Sequence, residues 1–268
     1  MKRLTSLASL LLLCGCASNA IVQDKIGSEW YAPPSVEKDS FFTKPENTLT
    51  APDGGPIPIA VYSFTDKTGQ RKNLPNVASF SAAVTQGGES YLIQALQNVG
   101  DGRWFTVLER VGLDNLIKER QMIRQMREQY QGREAKPLPA MMFAGVLIEG
   151  SITGYDSNLL TGGSGMRILG IGPQTQYQSD TVTVTLRTVS VNTGEVLTTV
   201  TATKTIYSYM DKLGILKFAN AGERAIEVET GFSINESVNK ATALAIKAAV
   251  VATVKEGVRK GYWSYKKE

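Results

Sequence analysis

The chain of 268 residues carries 29 basic and 25 acidic side chains, 2 cysteines and no histidine. The missing imidazole excludes Ser-His-Asp and Cys-His nucleophile activation and His-rich zinc sites. The near balance of charge argues against a nucleic-acid partner, which needs a concentrated basic surface.

Lys2 and Arg3, the apolar run Leu7 to Leu13, and Leu13-Cys14-Gly15-Cys16 together form a bacterial lipoprotein signal. Residues 1–15 are expected to be removed, with Cys16 taking an S-diacylglycerol and an N-acyl chain. Each buried methylene contributes about 0.8 kcal/mol, so several chains anchor firmly. An uncleaved anchor is the competing reading, but the run is too short to span a bilayer. Ala17, rather than the inner-membrane retention residue Asp, follows the lipid site. Outer membrane is therefore the expected destination. Both cysteines lie in this region, so the rest of the chain has no thiol for a disulfide or metal site. No cofactor beyond the lipid is expected, and no enzymatic activity.

Residues 16–56 are polar and contain Pro33, Pro34, Pro45, Pro52 and Pro56, which reads as an irregular lipidated tether. Residues 57–158 read as the first part of a soluble α/β domain. Ile57 to Phe64 is a buried strand ended by the turn Asp66-Lys67-Thr68-Gly69. Residues 71 to 80, with Pro75, form a loop. Ser81 to Val99 is a helix, Phe105 to Val111 a second strand, and Leu113 to Gln131 a second helix. That helix places Leu113, Leu116, Ile117, Ile123 and Met126 on an inner side. Met142 to Tyr155 is a third strand.

Residues 180–206 read as a hairpin turning at Asn192-Thr193-Gly194-Glu195. Val182, Val184 and Leu186 alternate with Thr183, Thr185 and Arg187, while Val189 and Val191 fall on the opposite parity and indicate a bulge. Residues 235–268 hold a last helix, Val238 to Arg259. Its apolar stretch, Ala243 to Val254, contains Lys247 and is too short to span a bilayer as a helix.

Two segments fit a soluble domain poorly. Residues 159–179 are glycine-rich with no sustained apolar run. In residues 207–234, Ile226, Val228, Thr230, Phe232 and Ile234 share one parity, and Glu227 and Glu229 take the other. Lipid outside and water inside a barrel would produce that pattern at roughly ten residues per crossing. Surface hairpins of a soluble sheet would produce it too. Periodicity alone leaves both open.

The chain resembles the CsgG-type curli secretion lipoproteins of the bacterial outer membrane. The likeness runs from the lipobox to Gly261-Tyr262-Trp263. It is densest at Asp66-Lys67-Thr68-Gly69-Gln70, Phe80-Ser81-Ala82-Ala83-Val84, Leu116-Ile117-Lys118-Glu119-Arg120, Glu149-Gly150-Ser151-Ile152 and Thr175-Gln176-Tyr177-Gln178. The resemblance implies an α+β fold: a periplasmic α/β sandwich body with two transmembrane β-hairpins, at 159–179 and 207–234. It further implies a homo-oligomeric ring, nine copies in the family, whose hairpins close one shared β-barrel.

Unfolded curli-type fibre subunits would diffuse through that pore, assisted by a periplasmic gating accessory protein and a surface nucleator. The family's constriction loop carries a Tyr and then an Asn-Phe pair. Here the loop is residues 70–80, and the matching positions are Leu74, Ser79 and Phe80, so two of the three differ. Phe80 would otherwise serve as a packing anchor for the following helix. Glu227 and Glu229 would line the lumen. The alternative is a non-channel envelope lipoprotein that scaffolds or anchors a surface adhesion protein.

Overall fold

The computed structural model describes residues 40–71, 83–132, 134–162, 172–218, 225–234 and 238–267. Its strands are β1 (Ile57–Asp66), β2 (Phe105–Leu108), β3 (Val146–Gly162), β4 (Gly172–Ser190), β5 (Val196–Phe218) and β6 (Ala225–Ile234). They form one mixed sheet in the order β2-β1-β3-β4-β5-β6. β1 runs parallel to both β2 and β3, and the remaining pairs are antiparallel. The helices are α1 (Gly88–Asn98), α2 (Leu113–Gln131) and α3 (Val238–Arg259). Among the described residues no helix is long and apolar enough to cross a membrane.

The core lies between one face of the sheet and two helices. Ile59, Val61, Ile148, Ile152, Val182, Val184, Leu186 and Ile206 face Leu92, Leu96, Ile246, Ala249, Val250 and Val254. α1 packs on β1, β2, β3 and α3, and α3 packs on β4 and β5. The alanines of α3 let it approach the sheet closely: Ala241, Ala245 and Ala249 are buried. Among the described residues the opposite face is uncovered and hydroxyl-rich. There Thr185 bonds Thr153 and Thr201, and Thr183 bonds Thr203, through side-chain oxygens at 3.1–3.2 Å.

Four expectations are corrected. The tether narrows, because residues 40–56 join the domain. Phe42 and Leu49 are buried, Pro45–Asn47 forms a 3-10 turn, and Pro52 bridges Tyr265. Burial of these two apolar side chains offsets part of the cost of ordering that stretch. Trp104 secures it, with its indole N–H donating to the Thr50 carbonyl at 2.8 Å and its ring edge-on to Tyr265.

The first helix begins at Gly88, not Ser81. Adjacent Gly87 and Gly88 are poor helix formers, and the Thr85 hydroxyl accepts from the Gly87 N–H in a competing turn.

α2 has the expected bounds, yet none of its residues is buried. Ile117 and Met126 are 40% and 48% exposed.

The second strand ends at Leu108 and the third starts at Val146. Residues 134–145 are instead a strap beside α2. Arg127 donates to the Lys136 carbonyl, Arg120 to that of Pro139 and Arg110 to that of Met142.

The β4–β5 hairpin turns where expected, with Gly194 at φ +72°. The anticipated irregularity is a register shift between Thr188 and Val189.

Candidate functional site

Beyond Asp180 the sheet outruns its helices. β3 and β4 remain paired from Ser157↔Asp180 to Gly162↔Thr175, and β4 and β5 from Asp180↔Ile206 to Gly172↔Gly214. β6 adds to β5 from Tyr209↔Ile234 to Phe218↔Ala225. The two doubtful segments are therefore continuations of strands that begin in the helix-covered half.

Directly opposed residues of an antiparallel pair share a face, so the register assigns the positions of this far half to faces. Glu229 stands in one row with Gly214 and Gly172. The next rows on that face are Gly231, Lys212 and Gln174, then Ser233, Met210 and Gln176. Glu227 lies opposite Leu216 on the same face. The other face holds the positions of Ile226, Val228, Thr230, Phe232, Ile234, Ile215, Leu213, Tyr209 and Tyr177, with Asp211, Lys217 and Thr175 among them. Glu227 and Glu229 thus belong to a predominantly polar face assembled from three strands. The glutamines of β4 were not assigned to a face from sequence, because a glycine-rich segment gives no period until its partners are known.

Continuity fixes which side this is. On β4, even positions Val182, Val184 and Leu186 face the helices, and the ladder from Gly172 to Thr188 has no break. The polar face of the far half is therefore the prolongation of the helix-covered side. The apolar face prolongs the threonine side.

The changeover occurs at Asp180, which is 3% exposed. The Tyr155 hydroxyl donates to Asp180 Oδ1 at 3.3 Å. Burial first, and the neighbouring Asp180 charge second, push the Tyr155 pKa above its ordinary 10.0. Tyr155 consequently stays a neutral donor beside the carboxylate.

Asp66 ends β1 opposite Ile152. Asp66 Oδ1 accepts from the Thr68 N–H and hydroxyl at 2.8 and 2.7 Å, and Asp66 Oδ2 from Gln86 Nε2 at 3.3 Å. The Ala83 N–H donates to the Gln70 carbonyl at 2.9 Å. The two ends of the segment 71–82 are thereby drawn together. Leu74, Ser79 and Phe80, and Cys16 with the rest of the lipid signal, lie outside the described residues. Among the described residues no group of His, Cys, Asp and Glu is placed to hold a metal.

Residues 46–268 match the family described as "Curli production assembly/transport component CsgG". Relatives of that description in Salmonella typhimurium and Escherichia coli K12 are each 39% identical over 267 residues, covering 98% of this chain and 91% of theirs. A Citrobacter koseri relative of the same description is 38% identical over the same span. In space, the lipoprotein GNA1162 of Neisseria meningitidis overlays with a TM-score of 0.29 at 15% identity, over 57% of this chain and 84% of that one. That likeness is too slight to bear on the fold. An unbroken match from residue 46 to the end, and two-fifths identity along nearly the whole length of both chains, settle the kinship: this chain belongs to the CsgG family.

Proposed function

We propose that the chain serves in curli production as one subunit of a ring-shaped secretion channel in the bacterial outer membrane. Lipid on Cys16 anchors it, the helix-covered domain stands in the periplasm, and unfolded curli-type fibre subunits diffuse through the ring to the cell surface. The names of the relatives supply the curli connection. The sheet edges carry the channel reading.

β1 leaves β3 at Ile152, so from Gly154 to Gly162 β3 pairs with β4 alone. β6 pairs with β5 alone. Among the described residues neither edge has a second partner strand. Open edges inside a bilayer are untenable, because each unpaired backbone group there costs several kcal/mol. β3 runs away from the helices and β6 runs back, so β6 of one copy meets β3 of the next antiparallel. A head-to-tail contact of this kind closes into a ring, and closure into a barrel removes both edges. The ten residues of β6 match one tilted crossing of about 9–11.

In this reading the apolar face meets lipid, and the face of Glu227, Glu229 and the β4 glutamines wets the lumen. Leu74, Ser79 and Phe80 form the constriction. Repeated shallow contacts with Phe80, diluted by polar neighbours, guide an extended chain without trapping it. Two constriction positions depart from the family pattern, so the bore and the accepted cargo differ accordingly. A periplasmic accessory protein and a surface nucleator are the expected partners, as in the family.

The test is projection imaging of the detergent-extracted full chain, followed by planar-bilayer recording of the same particle. A ring with a central hole and steady conductance is expected. A detergent-soluble monomer that conducts nothing would overturn the channel and favour the scaffold alternative.

A further inference from the structure

We infer that the groove between α2 and the strap 134–145 is a docking site for an extended peptide in which acidic residues alternate with aliphatic ones. Its periplasmic placement rests on the channel reading, while its binding chemistry is independent of a pore.

The groove encloses about 350 Å³. Its strap is held at three-residue intervals. Arg127 donates to the Lys136 carbonyl at 2.9 Å, Arg120 to that of Pro139, and Arg110 to that of Met142 at 3.0 Å. Ala135, Leu138 and Met141 repeat at the same interval and are half-buried. A three-residue repeat belongs to the extended helix that prolines favour, and Pro137 and Pro139 stand in this stretch. The strap thus gives its carbonyls to the arginines and lines the groove with aliphatic residues.

The α2 wall has the opposite character. Arg120, Arg124 and Arg127 line it, Lys136 faces them from the strap, and Glu128 is the one acid among the lining residues. A carbonyl bond does not neutralise a guanidinium and leaves it further N–H groups to donate. Arg124 meets Glu128 at 3.8 Å with both side chains well exposed, a contact of little strength. Arg124 is therefore the cation most open to an incoming carboxylate.

An extended peptide matches both walls at once. Its successive side chains point to opposite sides, and alternate ones are about 6.7 Å apart. Arg120 and Arg124, one turn apart, are offset by about 6 Å along the helix. Carboxylates at alternate positions can face these arginines while the aliphatic side chains between them face Leu138 and Met141. Inorganic phosphate would leave the aliphatic wall unused, and no aromatic ring among the lining residues is placed to stack a nucleotide base. The Gly145 N–H donates to the Pro58 carbonyl at 2.9 Å, and the strap enters β3 at Val146, the end of the sheet remote from the far half. In the proposed channel that end faces the periplasm, away from lipid headgroups, which favours a protein segment as the occupant.

The experiment uses the full-length chain in non-ionic detergent and a fluorescent peptide of alternating glutamate and leucine, read by anisotropy. Saturable binding that weakens with added salt is expected. Replacing the peptide's glutamates by glutamine is expected to weaken it about tenfold, and Arg124→Glu in the protein by at least as much. Leu138→Ser is expected to weaken it about fivefold through loss of the aliphatic wall. Arg124→Lys stays near wild type, and the melting midpoint of Arg124→Glu is unchanged.

Equal binding of the glutamine peptide, or wild-type binding by Arg124→Glu, would overturn the inference. So would displacement of the peptide by inorganic phosphate beyond the effect of matched ionic strength, or by phosphatidylglycerol vesicles, since these would mark an anion or lipid site. A conducting ring that leaves the peptide unbound overturns the groove alone. A chain that binds the peptide and conducts nothing overturns the channel reading and leaves the groove standing.

Discussion

Phe64 is held by the absence of two side chains. A methyl group on Gly88 would sit 2.1 Å from its ring, and one on Gly150 would sit 2.3 Å from the ring and 2.9 Å from Leu186. Neither backbone can yield cheaply, since Gly88 opens α1 and Gly150 lies inside a paired strand. Overpacking of this kind costs about 1–3 kcal/mol. Gly150→Ala is therefore expected to lower the thermal midpoint by about 2–4 °C per kcal/mol lost. An unchanged midpoint in thermal unfolding would show that the ring has room to move. At this scale the sequence was only partly legible. Asp66-Lys67-Thr68-Gly69 is recognisable as a turn from residue type alone, but the bond from Asp66 to Gln86 spans twenty residues and leaves no local trace. Trp104 and Tyr265 likewise meet although 161 residues separate them in the chain.

Elements were more legible than their surroundings. The bounds of α2 and α3 follow from periodicity, and so does the hairpin of β4 and β5. Periodicity did not reveal that none of the residues of α2 is buried among the described residues. Apolar positions at helical spacing mark a face able to be covered, and say nothing about which molecule covers it. The alternation in β6 was legible too, but its side was not. Only the register, running through β5 to β4, places Glu227 and Glu229 on the prolongation of the helix-covered face.

This placement yields an electrical prediction. In the proposed channel, Glu227 and Glu229 outnumber Lys212 on the lumen side, so a preference for cations is expected. Glu227→Lys together with Glu229→Lys is expected to reverse that preference, read as a change of sign in the reversal potential across a salt gradient. An unaltered reversal potential would remove both glutamates from the lumen.

For the whole molecule, attachment and enclosure are separable. In the proposed reading Cys16 carries the lipid, so the product of Cys16→Ser is expected to lack the acyl mass and to move from the outer-membrane fraction to the soluble periplasmic one. Acyl mass or membrane fractionation surviving the substitution would show that Cys16 is not the attachment point.

The long strands β4 and β5 carry a further consequence for how such a chain can change over time. One unbroken alternation serves two environments of opposite demand: oily positions near the helices and wet positions past Asp180 belong to the same parity. Inserting or deleting a single residue along either strand would turn one half inside out while sparing the other, and no compensating slip could repair both. Length variation should therefore be confined to the connections at 163–171, 191–195 and 219–224. A deep mutational scan with single-codon insertions would display that restriction as three tolerant windows in an otherwise intolerant stretch.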